Sequence, residues 1–486
     1  MKCNMLFKML IVISMLFQVS AICADDMSSP IKNVLFIVMD DLRPELQTYG
    51  KLHIQSPEID ALANESVLFS NAYSNVPVCG ASRASVLSGL RPSPHRFLGY
   101  QSRIDEDAPE AITLPAQLKN SGFRTISVGK VLHFRADSRD DWSKRPWHPM
   151  DDVKGTSKDT GHRDYQIEDN ILRFKKERKG PAFEAADVPD NDYFDGKIAE
   201  RAIAELQKAA EEEQPFFLAV GFLKPHLPFN APKKYWDLYA PDSIALAKHR
   251  TFPTSAPQQA WHDWGELRKH DDVPPAPELM PDDVARDLVR GYAAAVSYSD
   301  AQVGKVLKAL ESQGLAENTL VILWGDHGWS LGEHGLWAKH SPFDVATKVP
   351  LLIRAPGLSS DGGRADGLAE LVDLYPTIVD LLQLPQPDHL QGRSLRPQLL
   401  DPAHTGKEAV FMRWRNADIV RTDRFSYTQW KNKAGEQTAH MLYDLNADPE
   451  EVINIADDSA FEDQVKALKE RLHVQNSWYP KSEPSN

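Results

Sequence analysis

The chain has 486 residues, 42% of them apolar and 26% charged, a globular composition that excludes disorder, collagen and coiled coil as its main state. Lysine and arginine number 55 against 69 aspartate and glutamate. The resulting net charge of −14 argues against nucleic acid as a partner, because phosphate contacts need a basic surface.

Residues 1–24 carry Lys2 and Lys8, no acidic residue, the apolar run 9–17, and small residues at Ser20, Ala21 and Ala24. This pattern predicts a secretory signal peptide and hence a periplasmic or secreted protein. The run is shorter than the roughly 20 apolar residues a membrane helix needs, and nothing after residue 24 is apolar for long enough to span a bilayer. Ile22 is too bulky to precede a lipidated Cys23, so cleavage near Ala24 is the expectation. Removal of the two lysines takes the charge from −14 to −16 and leaves Cys79 as the one cysteine of the exported chain. With no partner for an internal disulfide, Cys79 is either buried and inert or kept for its chemistry.

From there the chain alternates. Short apolar runs at 33–39, 125–128, 216–221, 320–324 and 351–353 read as buried strands. Three- and four-residue apolar spacing predicts helices over 60–65, 84–90, 113–121, 194–212, 287–312 and 374–384. Strands alternating with helices predict an α/β sheet covered on both faces. Two stretches break the rhythm, a polar one at 135–192 and one rich in Pro, Trp and His at 240–285; loops this long inside a domain are commonly functional. Shorter strands at 409–414, 418–421, 425–430 and 440–444, then a helix at 461–475, predict a small antiparallel subdomain. The expected division is a signal peptide at 1–24, a catalytic domain at 25–400 and a C-terminal subdomain at 401–486.

Two predicted strands end on acidic or metal-binding side chains. Asp40 and Asp41 follow the first, and Asp326 and His327 follow the strand at 320–324. In open α/β sheets the ligand site lies beyond the carboxyl ends of the strands. Three carboxylates and an imidazole converging there would hold a divalent cation, with calcium or magnesium favoured over zinc by the hard oxygen donors.

Cys79 lies in Val78-Cys79-Gly80-Ala81-Ser82-Arg83, followed by Leu87-Ser88-Gly89. This segment resembles the signature of the formylglycine-dependent sulfatase family, in which a C-x-P-x-R cysteine is oxidised to formylglycine; Ala81 stands where that signature has proline. The resemblance extends through Gly129-Lys130-Val131-Leu132-His133, Lys224-Pro225-His226-Leu227-Pro228-Phe229, Gly325-Asp326-His327-Gly328, Trp337-Ala338-Lys339 and Leu442-Tyr443-Asp444-Leu445, in that order. Within the family these stretches look most like the branch that acts on 2-sulfated uronic acids, although His340 replaces the aromatic residue expected after Lys339.

The resemblance implies an alkaline-phosphatase-like α/β fold, a large mixed sheet flanked by helices with a smaller C-terminal α+β subdomain. It implies one calcium ion held by Asp40, Asp41, Asp326, His327 and the modified Cys79, and a formylglycine-generating maturation enzyme as partner. The expected reaction is hydrolysis of a sulfate ester on a sulfated saccharide. Hydrated formylglycine at position 79 would attack sulfur, with Lys130 and Lys339 steadying charge and Arg83 holding the loop. His226 or Lys339 would protonate the leaving oxygen, and His133 would take a proton as sulfate departs. Trp142, Trp147, Trp261 and Trp264 are expected to shape sugar subsites. Two other readings stay open, a phosphodiesterase or phosphonate monoester hydrolase of the same superfamily and a non-enzymatic carbohydrate-binding relative.

Overall fold

Alternate side chains of the first apolar run enter two different cores. In the computed structural model, which describes residues 31–358 and 362–477, Leu35, Ile37 and Met39 pack on one side of the sheet and Val34, Phe36 and Val38 on the other. Only a central strand can do this, and burying each such aliphatic side chain stabilises the fold by roughly 1.5–3 kcal/mol. The expected signal peptide lies outside the described residues.

The sheet contains β1 (Asn33–Asp40), β2 (Val67–Phe69), β3 (Arg124–Gly129), β4 (Phe216–Pro225), β5 (Thr319–Gly325), β6 (Leu351–Arg354) and β7 (Gly363–Ala365). Their spatial order is β7-β2-β6-β5-β1-β4-β3. β1 pairs in parallel with β4 and β5, whereas β6 runs against both of its neighbours. The carboxyl ends of β1, β3, β4 and β5 therefore open on the same edge.

One face carries α2 (Phe194–Ala210) and α3 (Asp282–Ser312), and the other carries α1 (Cys79–Ser88) and α4 (Leu374–Leu381). α1 begins at Cys79 rather than at the expected residue 84. All ten of its residues are buried, so small side chains are needed all round and no apolar stripe marks its first turn. The polar stretch 135–192 holds a helix, Glu168–Glu177, and a strand, Phe183–Ala186, that its charge pattern conceals.

After residue 400 the chain forms β8 (Val410–Trp414), β9 (Ala417–Arg421), β10 (Phe425–Lys431) and β11 (Gln437–Asp444), an antiparallel meander. α5 (Glu462–Ser477) covers it, with Val465, Leu468 and Leu472 packed on Val420, Tyr427 and Leu442. A backbone bond from Arg413 N–H to Asn75 C=O, 2.9 Å, ties β8 to the segment just before Cys79.

Asp300 of α3 accepts from the backbone N–H of Ile59 at 2.7 Å and Glu58 at 3.3 Å, fixing the first turn of the helix Pro57–Asn64. Burial pushes its carboxyl up to about 7 from 3.8, with the charges of Glu58 and Asp60 adding to the rise. A folded value above the unfolded one means the folded chain holds a proton the unfolded chain has released. The contribution is complete below the unfolded value and is lost as pH rises through the folded one. Asp300→Asn is expected to narrow the difference between chemical-denaturation midpoints at about pH 4 and about pH 7, and an unchanged difference would contradict this assignment.

Candidate active site

β1 ends at Asp40, and Asp41 turns out of the strand with φ of 64°, a left-handed conformation that aspartate tolerates better than most residues. The turn delivers the Asp41 N–H to Asp326 Oδ1 at 2.9 Å, across the pair β1–β5. His327 Nε2 lies 3.3 Å from Asp41 Oδ1 and 3.2 Å from Cys79 Sγ. Cys79 Sγ is itself 3.8 Å from Asp41 Oδ1. Asp40, Asp41, Cys79 and His327 each place one ligand atom within 4.8 Å of the others, and all four are buried. Asp326 stands at the edge of this group, its Oδ1 3.6 Å from His327 Nε2 and its Oδ2 taken by Arg83.

The carboxylates are matched by buried cations. Arg83 Nε donates to Asp326 Oδ2 at 2.8 Å and its second arm to Asp40 Oδ1 at 3.1 Å. Lys130 donates to Asp40 Oδ2, and Lys339 Nζ donates to Asp41 Oδ1 at 2.9 Å and Oδ2 at 3.0 Å. Burial works against ionising Asp40, yet Lys130, His226, Arg83 and Lys339 hold its carboxyl well below the usual range. Asp41 goes the other way, raised by burial and by Asp40. Burial, reinforced by Asp40, pushes the Cys79 thiol well above its usual value, so an unmodified cysteine here stays protonated and a poor nucleophile.

Two backbone features aim the lysines. Gly129, with φ of 78°, sits so close to the Gly221 carbonyl that an added Cβ would lie 2.2 Å from that oxygen; only glycine lets β3 end where Lys130 reaches Asp40. Lys339 lies between Ala338 and His340, which have φ of 76° and 73°. Paired non-glycine residues in this region are strained and persist where the surroundings fix them.

His226 Nδ1 approaches Leu227 C=O at 2.6 Å, and its Nε2 lies 3.1 Å from Glu266 and 3.9 Å from Asp41. Lys224 is turned inward, donating to the carbonyls of His226 at 3.1 Å and Pro228 at 2.6 Å, so it shapes this loop rather than facing the carboxylates. His133 stands apart between the rings of Tyr100 and Phe134, and burial with the charge of Lys130 lowers it to about 3.

These groups form the floor of a cavity of about 1180 Å³. Its wall includes Glu266, which bridges His226 and Lys339 at 3.1 and 3.2 Å and carries no signal in the sequence, since it stands in the Pro- and Trp-rich stretch without a motif around it. Of the four tryptophans expected at sugar subsites, only Trp261 lines the cavity. Trp142 is buried and stacked on Phe217 of β4 at 5.9 Å, Trp147 bridges to Val128 of β3, and Trp264 is buried with its indole N–H on Gly335 C=O at 3.0 Å. The C-terminal meander supplies Trp414 and Trp430 instead, with His340 stacked on Trp414 at 5.2 Å.

A buried cysteine at a helix start, a carboxylate cluster at parallel strand ends and a cationic cavity make up the arrangement expected of a hydrolase of anionic esters. Residues 32–384 match the sulfatase family and residues 332–477 the N-sulphoglucosamine sulphohydrolase C-terminal family. The chain belongs to the sulfatase family and is a sulfuric ester hydrolase. It is 39% identical to iduronate 2-sulfatase of Mus musculus over 392 residues, 73% of this chain and 69% of that one. Among solved structures, the phosphonate monoester hydrolase of Silicibacter pomeroyi superposes with a TM-score of 0.73 at 24% identity, covering 92% of this chain and 95% of that one. A protein in complex with its substrate D-glucosamine-2-N,6-O-disulfate superposes with a TM-score of 0.71 at 20% identity, covering 93% and 99%. The shared architecture is the alkaline-phosphatase-like large mixed sheet with a C-terminal antiparallel subdomain, and at these identities it speaks for the fold alone.

Proposed function

We propose that this sulfatase removes sulfate from a sulfated saccharide, with a terminal 2-O-sulfated uronate of a glycosaminoglycan or algal polysaccharide as the preferred unit. The supporting observation is the convergence of Cys79, Asp41, His327 and Lys339, of which Cys79 and Lys339 open on a large cationic cavity. The 39% identity to an iduronate 2-sulfatase supports the uronate over other sugars. A phosphodiesterase with the same fold is disfavoured by that identity, since the phosphonate monoester hydrolase is only 24% identical.

The donor set fits a divalent cation, because two carboxylates, an imidazole and the residue 79 side chain already converge and oxygen-rich sets suit calcium. Asp40, Asp41, Asp326 and His327 would hold it. Bound there, the cation supplies charge neutralisation and acidity beside a hydrated formylglycine at residue 79. Arg83 orients the first turn of α1 by joining Asp40 to Asp326. Lys130 and Lys339 face the cavity where sulfuryl oxygens would lie, supplying fixed positive charge. His226, held between Leu227 C=O and Glu266, would give a proton to the departing sugar oxygen, with Lys339 as the alternative donor. His133, which lines the same cavity, would take the proton as sulfate leaves, and burial with the charge of Lys130 makes it a weak base there.

The deciding experiment pairs a panel of defined 2-O-, 3-O- and 6-O-sulfated disaccharides and aryl phosphodiesters with the mass of the peptide containing Cys79. Release of sulfate from the 2-O-sulfated uronate, with a peptide in which oxygen has replaced sulfur and two hydrogens are lost, is the expected result. Faster cleavage of a phosphodiester, or an unmodified peptide in active enzyme, would overturn the reading. Calcium is expected to raise the thermal midpoint of the wild type, because a ligand bound only by the folded chain stabilises it. The Asp40→Asn variant should lose most of that rise.

A further inference from the structure

We propose that a cluster of arginines on one wall of the cavity, Arg103, Arg135, Arg139 and Arg145, binds a second anionic group of the substrate, separate from the sulfate that is hydrolysed. The inference rests on the saccharide reading above and adds a specificity device to it.

The first support is a local reversal of charge. Acidic residues outnumber basic ones in the chain by 69 to 55, yet nine lysine and arginine side chains line the cavity against two carboxylates, Asp263 and Glu266. Reaction chemistry accounts for only part of this excess. Lys130 and Lys339 are engaged by Asp40 and Asp41, and Lys224 by two backbone carbonyls. The arginines have no such assignment. Arg135 pairs with Asp151, and the ion pair of Arg103 among the described residues is a 3.5 Å contact with the exposed Glu106. Arg139 and Arg145 are exposed and form no ion pair among the described residues.

The second support is that the wall is built in place. Asp137 accepts from the N–H of Ile104 at 3.0 Å and of Asp105 at 3.2 Å, clamping the segment that carries Arg135 and Arg139 to the one that carries Arg103. Arg103 lies flat on the Phe134 ring at 4.2 Å, which fixes its guanidinium plane. The Tyr100 carbonyl lies where a Cβ on Gly80 would be 2.1 Å away, so this wall presses directly on the residue after Cys79. A guanidinium already held flat, as that of Arg103 is, loses little freedom on binding, and arginine forks match carboxylate and sulfate oxygens.

The chemistry read is a planar or tetrahedral oxyanion on the saccharide. It comes either from the carboxylate of the sulfated uronate itself or from a sulfate on the adjoining sugar. Both are tested with Arg139→Gln/Arg145→Gln and with Arg103→Gln, exposed or half-buried positions outside the reaction centre. Substrates are a small aryl sulfate, the 2-O-sulfated uronate disaccharide with an uncharged neighbour, the same disaccharide with a carboxyl-reduced uronate, and the disaccharide with a second sulfate on the neighbour.

Wild type should favour the more anionic disaccharides. The double variant should raise KM for them by roughly ten-fold while kcat and aryl sulfate hydrolysis stay within about two-fold. Its KM should also depend less steeply on salt. Preference lost with the carboxyl-reduced substrate assigns the carboxylate, and preference confined to the doubly sulfated one assigns the neighbouring sulfate. Equal loss on every substrate, or an unchanged preference in both variants, overturns the proposal and leaves the saccharide reading standing. Aryl sulfate hydrolysis by wild type with no saccharide turnover overturns both.

Discussion

Cys79→Ala is expected to abolish turnover without unfolding the protein. Loss of a nucleophile costs on the order of 10⁴–10⁶-fold in kcat. The structural cost is small: Cys79 is the first residue of α1, alanine favours helix, and removing one buried sulfur costs about 1 kcal/mol. Measured on an aryl sulfate, kcat should fall to background while the thermal midpoint stays within a few degrees of wild type. Residual activity within ten-fold of wild type would show that residue 79 is not the nucleophile. Cys79→Ser tests the same point more narrowly, since a hydroxyl restores polarity at the site but gives no second leaving oxygen unless the serine is itself oxidised.

Arg83→Met is expected to act in the opposite sense, on stability first. Arg83 is fully buried, joins Asp40 to Asp326 and donates to Val131 C=O at 3.1 Å as well as to Lys130 C=O. A methionine of similar length fills the space but leaves two buried carboxylates short of a cation and two carbonyls unpaired. Breaking a buried pair from one side costs about 3–5 kcal/mol, a large part of the stability of an ordinary domain. The chemical-denaturation midpoint should drop by a corresponding amount, and activity should vanish with the geometry of α1. A variant that keeps its midpoint but loses activity would mean that neighbouring lysines neutralise both carboxylates unaided.

The parts of the site that could be read from sequence are those whose geometry is local. Asp40-Asp41 and Asp326-His327 follow apolar runs whose ends are visible without a structure, and β1 and β5 then pair to bring them together. Cys79 to Arg83 form one turn of helix, so their spacing fixes which side chains share a face. Glu266 and Trp414 carried no such signal, because what places them is contact with Lys339 and His340 across long separations. The misassigned tryptophans fail for a related reason. Trp142 stands in a polar stretch that reads as exposed, yet it stacks on Phe217 of β4, and only the packing of that stretch against the sheet reveals it. β6 could be located but not oriented, since a short buried run looks the same whichever way it pairs.

The central position of β1 also has a consequence in time. Asp41 is bonded to Asp326, 285 residues later in the chain, and the β1–β5 pair cannot form until that segment exists. At typical synthesis rates of 5–20 residues per second the interval is roughly 15–60 s. Throughout it the segment around Cys79, buried in the finished fold, lacks the Asp326 contacts that Ser82 and Arg83 make there. The late arrival of β5, whose end carries Asp326 and His327 onto Arg83 and Cys79, is thus the step that encloses Cys79.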